Sequence, residues 1–319
     1  MNDVITIDCH YLDRPQLAAA YLIVEGDEAA FVDNNTNHAM PHLLGALDDA
    51  GLRPEQVRYL VVTHVHLDHA GATAALARAC PNATVIAHPR AAPHLIDPSK
   101  LVASASKVYG EDEFERLYGT IGPVAEHRVR EMADGERLRF GSRELTFLHT
   151  RGHANHHFCI ADDATGSIFS GDAFGLHYPV LQAAGPFAFP STTPTDFDGE
   201  LAIEAVRRIV GLQPSRVYPT HFGEVTAIET TARQLIRHLE FAQALMLDAE
   251  RSDRPDDRLY DYVLPRLRDY YAGLLDGLGE LGRRPETWEL LSLDLEINAQ
   301  GLAFAANKRR RKAREAQTG

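Results

Sequence analysis

The sequence predicts an α/β fold, strand-rich at first and helical thereafter, and three observations carry that expectation. Short apolar runs separated by turn residues recur between residues 19 and 219, the pattern of strands alternating with tight connections. One of these runs leads into His64-Val65-His66-Leu67-Asp68-His69, which is followed by an alanine-rich stretch. From about residue 226 the apolar residues fall near helical spacing. At 319 residues the chain exceeds the usual span of one core, so we expect an α/β domain over residues 1–225 and a helical region over 226–319.

Each element has a local reason. Residues 20–33 read as two strands joined at Gly26-Asp27, a hairpin. Residues 38–50 are more helical, and 57–62 form the largely apolar run of a buried strand. The histidine segment starts just after that run, and residues 70–79 have good helix propensity. It therefore occupies a strand-to-helix loop, where side chains can converge on one point. Residues 84–87 read as a strand and 98–118 as a polar, helical insertion. Strand character resumes at 137–140, 144–148, 157–161 and 167–170, punctuated by Gly141-Ser142 and Arg151-Gly152-His153 and ending at Gly171-Asp172. Val217-Tyr218 is a brief strand running into Pro219-Thr220-His221.

Residues 173–197 are rich in aromatics, Pro and Gly and too irregular for one regular element. In the helical region, apolar stripes are expected to form core or homodimer contacts. Lys308-Arg309-Arg310-Arg311-Lys312 reads as a solvated, frayed helix end.

Composition narrows the functional classes. A net charge of -13 and a pI near 5.6 oppose passive attraction to nucleic acid or an anionic membrane. Three widely spaced cysteines, Cys9, Cys80 and Cys159, do not suggest a disulfide framework and fit a reducing, cytoplasmic setting. A basic segment followed by an apolar stretch is missing from the N-terminal residues, so secretion and membrane spanning are not expected. The expected partner is a small-molecule substrate.

The ligand chemistry is dense. His64 and His66 are two residues apart, so in an extended loop both rings face one side and can bind one metal. Asp68 and His69 can turn towards a second. Later strand ends supply His153, Asp172 and His221, which makes seven candidate ligands.

The ordered segments HVHLDH, TRGHANHH, FSGDAFG and PTHFG together resemble the metallo-β-lactamase-fold hydrolase superfamily, in its glyoxalase-II-like or lactonase-like dinuclear branch. The resemblance covers about residues 1–225. It implies an αββα sandwich with the metals at one edge, here followed by a C-terminal helical appendage. Carried over residue by residue, it assigns His64, His66 and His153 to one metal, Asp68, His69 and His221 to a second, and Asp172 to a bridge. This sequence departs at Arg151, where the family's turn usually has Pro, and at Asp33-Asn34-Asn35-Thr36, which lacks the common Asp-x-Gly. Two divalent ions outweigh two carboxylates, leaving a positive centre suited to an anionic transition state.

The resemblance implies a dinuclear metal-dependent hydrolase of a small ester, thioester or lactone, with a metal-activated hydroxide as nucleophile. Zinc is the expected metal, and imidazole with carboxylate also accepts iron or manganese. Asp68 or a metal-held water would protonate the leaving group. A phosphodiesterase or phosphotriesterase is the rival within hydrolases; an iron-dependent sulfur dioxygenase or a ligand sensor is the rival from another class. His66 argues against the family's di-iron reductases, which tend to have Glu there. His177 and Tyr178 lie five and six residues after Asp172 and are pocket candidates, since related lactonases use a tyrosine near the metals. Phe174, Phe187 and Phe189 would favour a substrate with an apolar portion, or else pin a long loop to the core. His157 is expected to support the ligands from behind.

Overall fold

The computed structural model describes residues 4–192 and 196–318, whose contacts gather into two compact units. The first comprises Met1–His149, His156–Gly171 and Gln213–Thr226; the second comprises Thr150–Asn155, Asp172–Leu212 and Ala227–Gly319. Residues 150–155 and 172–212, placed with the α/β domain by sequence, thus group with the C-terminal helices.

The first unit holds two sheets. One runs in the order β1 (Val4–Asp8), β2 (Ala19–Glu25), β3 (Glu28–Val32), β4 (Val57–Val61), β5 (Thr84–Ala87) and β6 (Val129–Glu131). The other is ordered β11 (Arg216–Pro219), β10 (Ser167–Gly171), β9 (Phe158–Asp162), β8 (Arg143–His149) and β7 (Arg137–Phe140). The expected hairpin is β2–β3, closed by the pair Glu25 and Glu28 around Gly26-Asp27. The period of two then divides each strand between two cores. Ala19, Tyr21 and Ile23 of β2 join Val61, Ile86, Phe140, Phe147, Ile160 and Phe169 in an apolar layer drawn from both sheets. Ala20 and Leu22 face the opposite way, into a layer shared with helical residues. Burial on both faces explains the near-continuous apolar runs of β2, β4 and β5.

That second layer includes residues of α1 (Met40–Asp49), α3 (Thr73–Ala79) and α4 (Ala92–Ile96); the short α2 (Leu67–Ala70) precedes α3. The predicted polar insertion is two helices, α5 (Ser99–Tyr109) and α6 (Glu111–Tyr118). Arg143 is fully buried and ion-paired, its Nη1 2.7 Å from Asp162 Oδ2 and its Nε 2.9 Å from Glu25 Oε2.

The second unit contains α7 (Gly199–Gly211), α8 (Ile228–Arg251), α9 (Leu259–Asp276), α10 (Glu280–Arg283) and α11 (Pro285–Thr318). Asp198 caps α7 by accepting from Leu201 N at 3.1 Å. Gly152 is required beside it, because a Cβ there would lie 2.2 Å from Ala202 N, and its φ is +114°. Buried residues recur every third or fourth position in α8 and every fourth in α9 (Leu259, Val263, Leu267, Tyr271, Leu275), which is the spacing that marked these segments as helical.

Within the basic run near the end of α11, Arg309, Arg311 and Lys312 are exposed, as expected of a solvated stretch, whereas Arg310 is held. Arg310 donates to the backbone oxygens of Ala249, Glu250 and Ser252 at 2.6–2.8 Å. These carbonyls lie at and just past the C-terminal end of α8, where the helix dipole favours a cation. Among the described residues, no helix is long and apolar enough to cross a membrane.

Candidate metal centre

Strand β4 ends at Val61, and its continuation delivers His64 and His66 before the backbone turns into α2 with Asp68 and His69. His64 and His69 are fully buried. His64 Nε2 and His66 Nδ1 lie 2.9 Å apart, and two basic nitrogens approach so closely when a proton or cation is shared between them. From the end of β11, His221 brings Nε2 to 3.3 Å from Asp68 Oδ2, while His69 Nε2 is 3.8 Å from the same oxygen. Asp68, His69 and His221 thus offer one donor atom each within 4.8 Å of one another. In the second unit, His153 Nε2 lies 3.4 Å from Asp172 Oδ2. Each pairing forms among residues that the sequence singled out.

The remaining ring nitrogens decide what these imidazoles offer. His69 Nδ1 is 2.9 Å from Asp33 Oδ2 and His221 Nδ1 is 2.9 Å from the Leu17 carbonyl; in the second unit His153 Nδ1 is 3.2 Å from the Ser191 carbonyl. Each acceptor holds the proton on Nδ1 and leaves the Nε2 lone pair for a cation. In each unit, imidazoles set in that tautomer by oxygen acceptors, beside acidic oxygens, suit divalent ions of the zinc, iron or manganese type.

Asp33, noted in the sequence only for the loop it opens, was given no role in the site. It lies one residue after β3, buried, and its Oδ1 accepts from Thr63 N at 2.8 Å. Its Oδ2 accepts from Thr63 Oγ1 at 2.9 Å and Thr220 Oγ1 at 2.7 Å, besides His69. One carboxylate therefore ties the ends of β3, β4 and β11 together. The signal was an acidic residue at a strand end, the same position that marked Asp172. His157 is fully buried with its ring 4.9 Å from that of His64. A Cβ on Gly171 (φ +49°) would sit 2.5 Å from His157 Nε2, so glycine permits that approach.

A family model described as the metallo-beta-lactamase superfamily matches residues 14–221. The chain belongs to that superfamily. Among its relatives, a metallo-beta-lactamase fold-containing protein of Sulfurisphaera tokodaii is 26% identical over 221 residues, covering 67% of this chain and 76% of its own. A type A flavoprotein of Rhodobacter capsulatus is 28% identical over 131 residues, 41% of this chain and 25% of its own. The crystal structure of a metallo-beta-lactamase family protein from Thermus thermophilus superposes with a TM-score of 0.63 at 19% identity, covering 98% of this chain and 95% of its own. As a metallo-beta-lactamase fold, the chain is an α/β sandwich with two mixed sheets and a C-terminal helical region, as expected.

The pocket candidates of the superfamily reading all lie in the second unit. Phe174 and Phe189 are fully buried, and Phe187 nearly so. Phe189 meets Tyr178 and Tyr271 edge-on, with centroids 5.7 and 5.8 Å away. Tyr178 donates its hydroxyl to the Asp294 carboxylate, 3.1 Å from Oδ1. His177 stacks parallel to Phe174, and its buried Nε2 makes no hydrogen bond. Burial pushes its pKa down to about 4, against a backbone hydrogen bond to Phe174.

Proposed function

We propose that the chain is a dinuclear metal-dependent hydrolase of a small ester, thioester or lactone. His64, His66 and His153 would hold one ion, Asp68, His69 and His221 the other, and Asp172 would bridge them. The observation that carries this reading is the shared tautomer: His69, His153 and His221 each spend Nδ1 on an oxygen acceptor and present Nε2. Bound divalent ions supply an acidified water and polarise the scissile oxygen. The chain's own part is orientation. Asp33, Leu17 and Ser191 hold the rings, and the burial of His64 and His69 keeps bulk water from competing for them. The Asp68 side chain is 26% exposed, unlike its neighbour His69, so it can exchange a proton with solvent and pass it to a leaving group. The burial of Phe174, Phe187 and Phe189 favours the reading in which they pin the long loop to the core over that of a substrate wall.

The relationship to a flavoprotein supports one rival, redox chemistry in place of hydrolysis. Metal analysis of the purified protein, followed by a screen of thioesters, lactones and phosphate esters, separates the two. Two zinc equivalents with turnover of a carbonyl ester support the proposal. Phosphate-ester turnover alone refutes its substrate class, and a single iron with thiol-dependent oxygen uptake refutes it altogether.

A further inference from the structure

We infer that Asn298, on the C-terminal helix α11, is a positioning residue for His153. The inference rests on the reading of His153 as a metal ligand. Asn298 is buried and grips the segment that His153 leans on from both sides of Ser191. Its Oδ1 accepts from Thr192 N at 2.7 Å, its backbone carbonyl accepts from Thr192 Oγ1 at 3.1 Å, and its Nδ2 donates to the Pro190 carbonyl at 3.0 Å.

The middle carbonyl, that of Ser191, is the one that accepts from His153 Nδ1 at 3.2 Å. The Ser191 C=O and the Thr192 N–H belong to one peptide unit, which is planar and trans, so they point in opposite directions. Anchoring that N–H on Asn298 aims the carbonyl at His153. The aim in turn holds the Nδ1 proton and the ring plane, on which a metal-binding Nε2 depends. One helical turn earlier, Asp294 holds Tyr178, and Leu176 bonds Phe189 at 2.8 Å between the two limbs. Helix α11 thus clamps both ends of the segment that follows Asp172.

The experiment measures zinc stoichiometry and affinity by competition with a chromophoric chelator. It compares the wild type, Asn298→Ala, Asn298→Asp, His153→Ala and the Asn298→Ala/His153→Ala double variant, with thermal unfolding of each in chelator. Asn298→Ala is expected to weaken one zinc site about 10- to 100-fold. Asn298→Asp keeps the acceptor for Thr192 N but sets an oxygen against the Pro190 carbonyl, and is expected to recover only part of that loss. In the His153→Ala background, removing Asn298 is expected to cost no further affinity, because its effect runs through the ring; a clamp with only a structural role would cost the same in both backgrounds. Wild-type affinity in a folded Asn298→Ala protein overturns the inference, as does an additive double variant. Should Asn298→Ala not fold, Asn298→Gln, which shifts the amide by one methylene, is read in the same assay. It is expected to lose affinity, and a wild-type value overturns the inference. If His153→Ala binds zinc as the wild type does, the ligand assignment itself fails, an outcome distinct from the failure of Asn298.

Discussion

Replacing Asp33 by Asn changes one atom of a buried hub and forces a choice. The carboxylate meets four donors: Thr63 N at Oδ1, and Thr63 Oγ1, Thr220 Oγ1 and His69 Nδ1 at Oδ2. An amide has one oxygen. If that oxygen takes the Oδ2 position, the NH2 group faces the Thr63 N–H across 2.8 Å, leaving a buried donor unmet at a cost of about 1–3 kcal/mol. If the amide turns over, the NH2 group faces His69 Nδ1, and the imidazole must accept there and move its proton to Nε2. The structure is then less strained, but His69 offers no lone pair to a metal, and affinity should fall about 10- to 100-fold. Urea unfolding in chelator reads the first outcome, and chelator competition for zinc reads the second. Asp33→Asn is expected to show at least one of them. Unchanged stability together with zinc affinity within twofold of wild type would refute the claim that Asp33 organises the centre.

Three further outcomes test other parts of the reasoning. Asp172→Ala should abolish the pairing of metals, so that metal analysis returns at most one equivalent; two retained equivalents would exclude Asp172 as the bridge. His177 has a folded pKa of about 4 against an ordinary 6.5, so its neutral ring supports the fold fully above pH 6.5. That support is lost as pH falls towards 4, at about 1.4 kcal/mol per pH unit, and the stability gap between wild type and His177→Phe should move by that slope in urea titrations; a gap independent of pH contradicts the burial argument. Arg143→Ala leaves Asp162 buried without its cation and should cost about 3–5 kcal/mol in urea unfolding, while a loss below about 1 kcal/mol would show that water reaches the pair.

Much of the centre was legible because ligand type and strand position are local properties. An apolar run followed at once by polar, metal-capable residues marked the ends of β4, β10 and β11, and the structure puts His64, Asp172 and His221 just beyond those ends. The role of Asp33 was not legible because it comes from Thr63, His69 and Thr220, the last 187 residues away. The aromatics of residues 173–197 were equally hard to read, since Phe, Tyr and Pro suit a pocket wall and a core alike, and burial follows from neighbours on α8, α9 and α11. One member of the basic run departs from the expected solvated end for the same reason: Arg310 is held by the end of α8, about 60 residues earlier in the chain.

By itself the sequence determined the α/β class, the helical C-terminal region and the inventory of imidazoles and carboxylates, all of which depend on backbone periodicity and residue chemistry within short windows. Only the tertiary structure decided which nitrogen each imidazole presents, because the opposing acceptors at Asp33, Leu17 and Ser191 arrive from distant segments. It also gave the C-terminal helix a task. Asn298 reaches Ser191 through a peptide plane, a relation of directions in space that spacing along the chain does not encode.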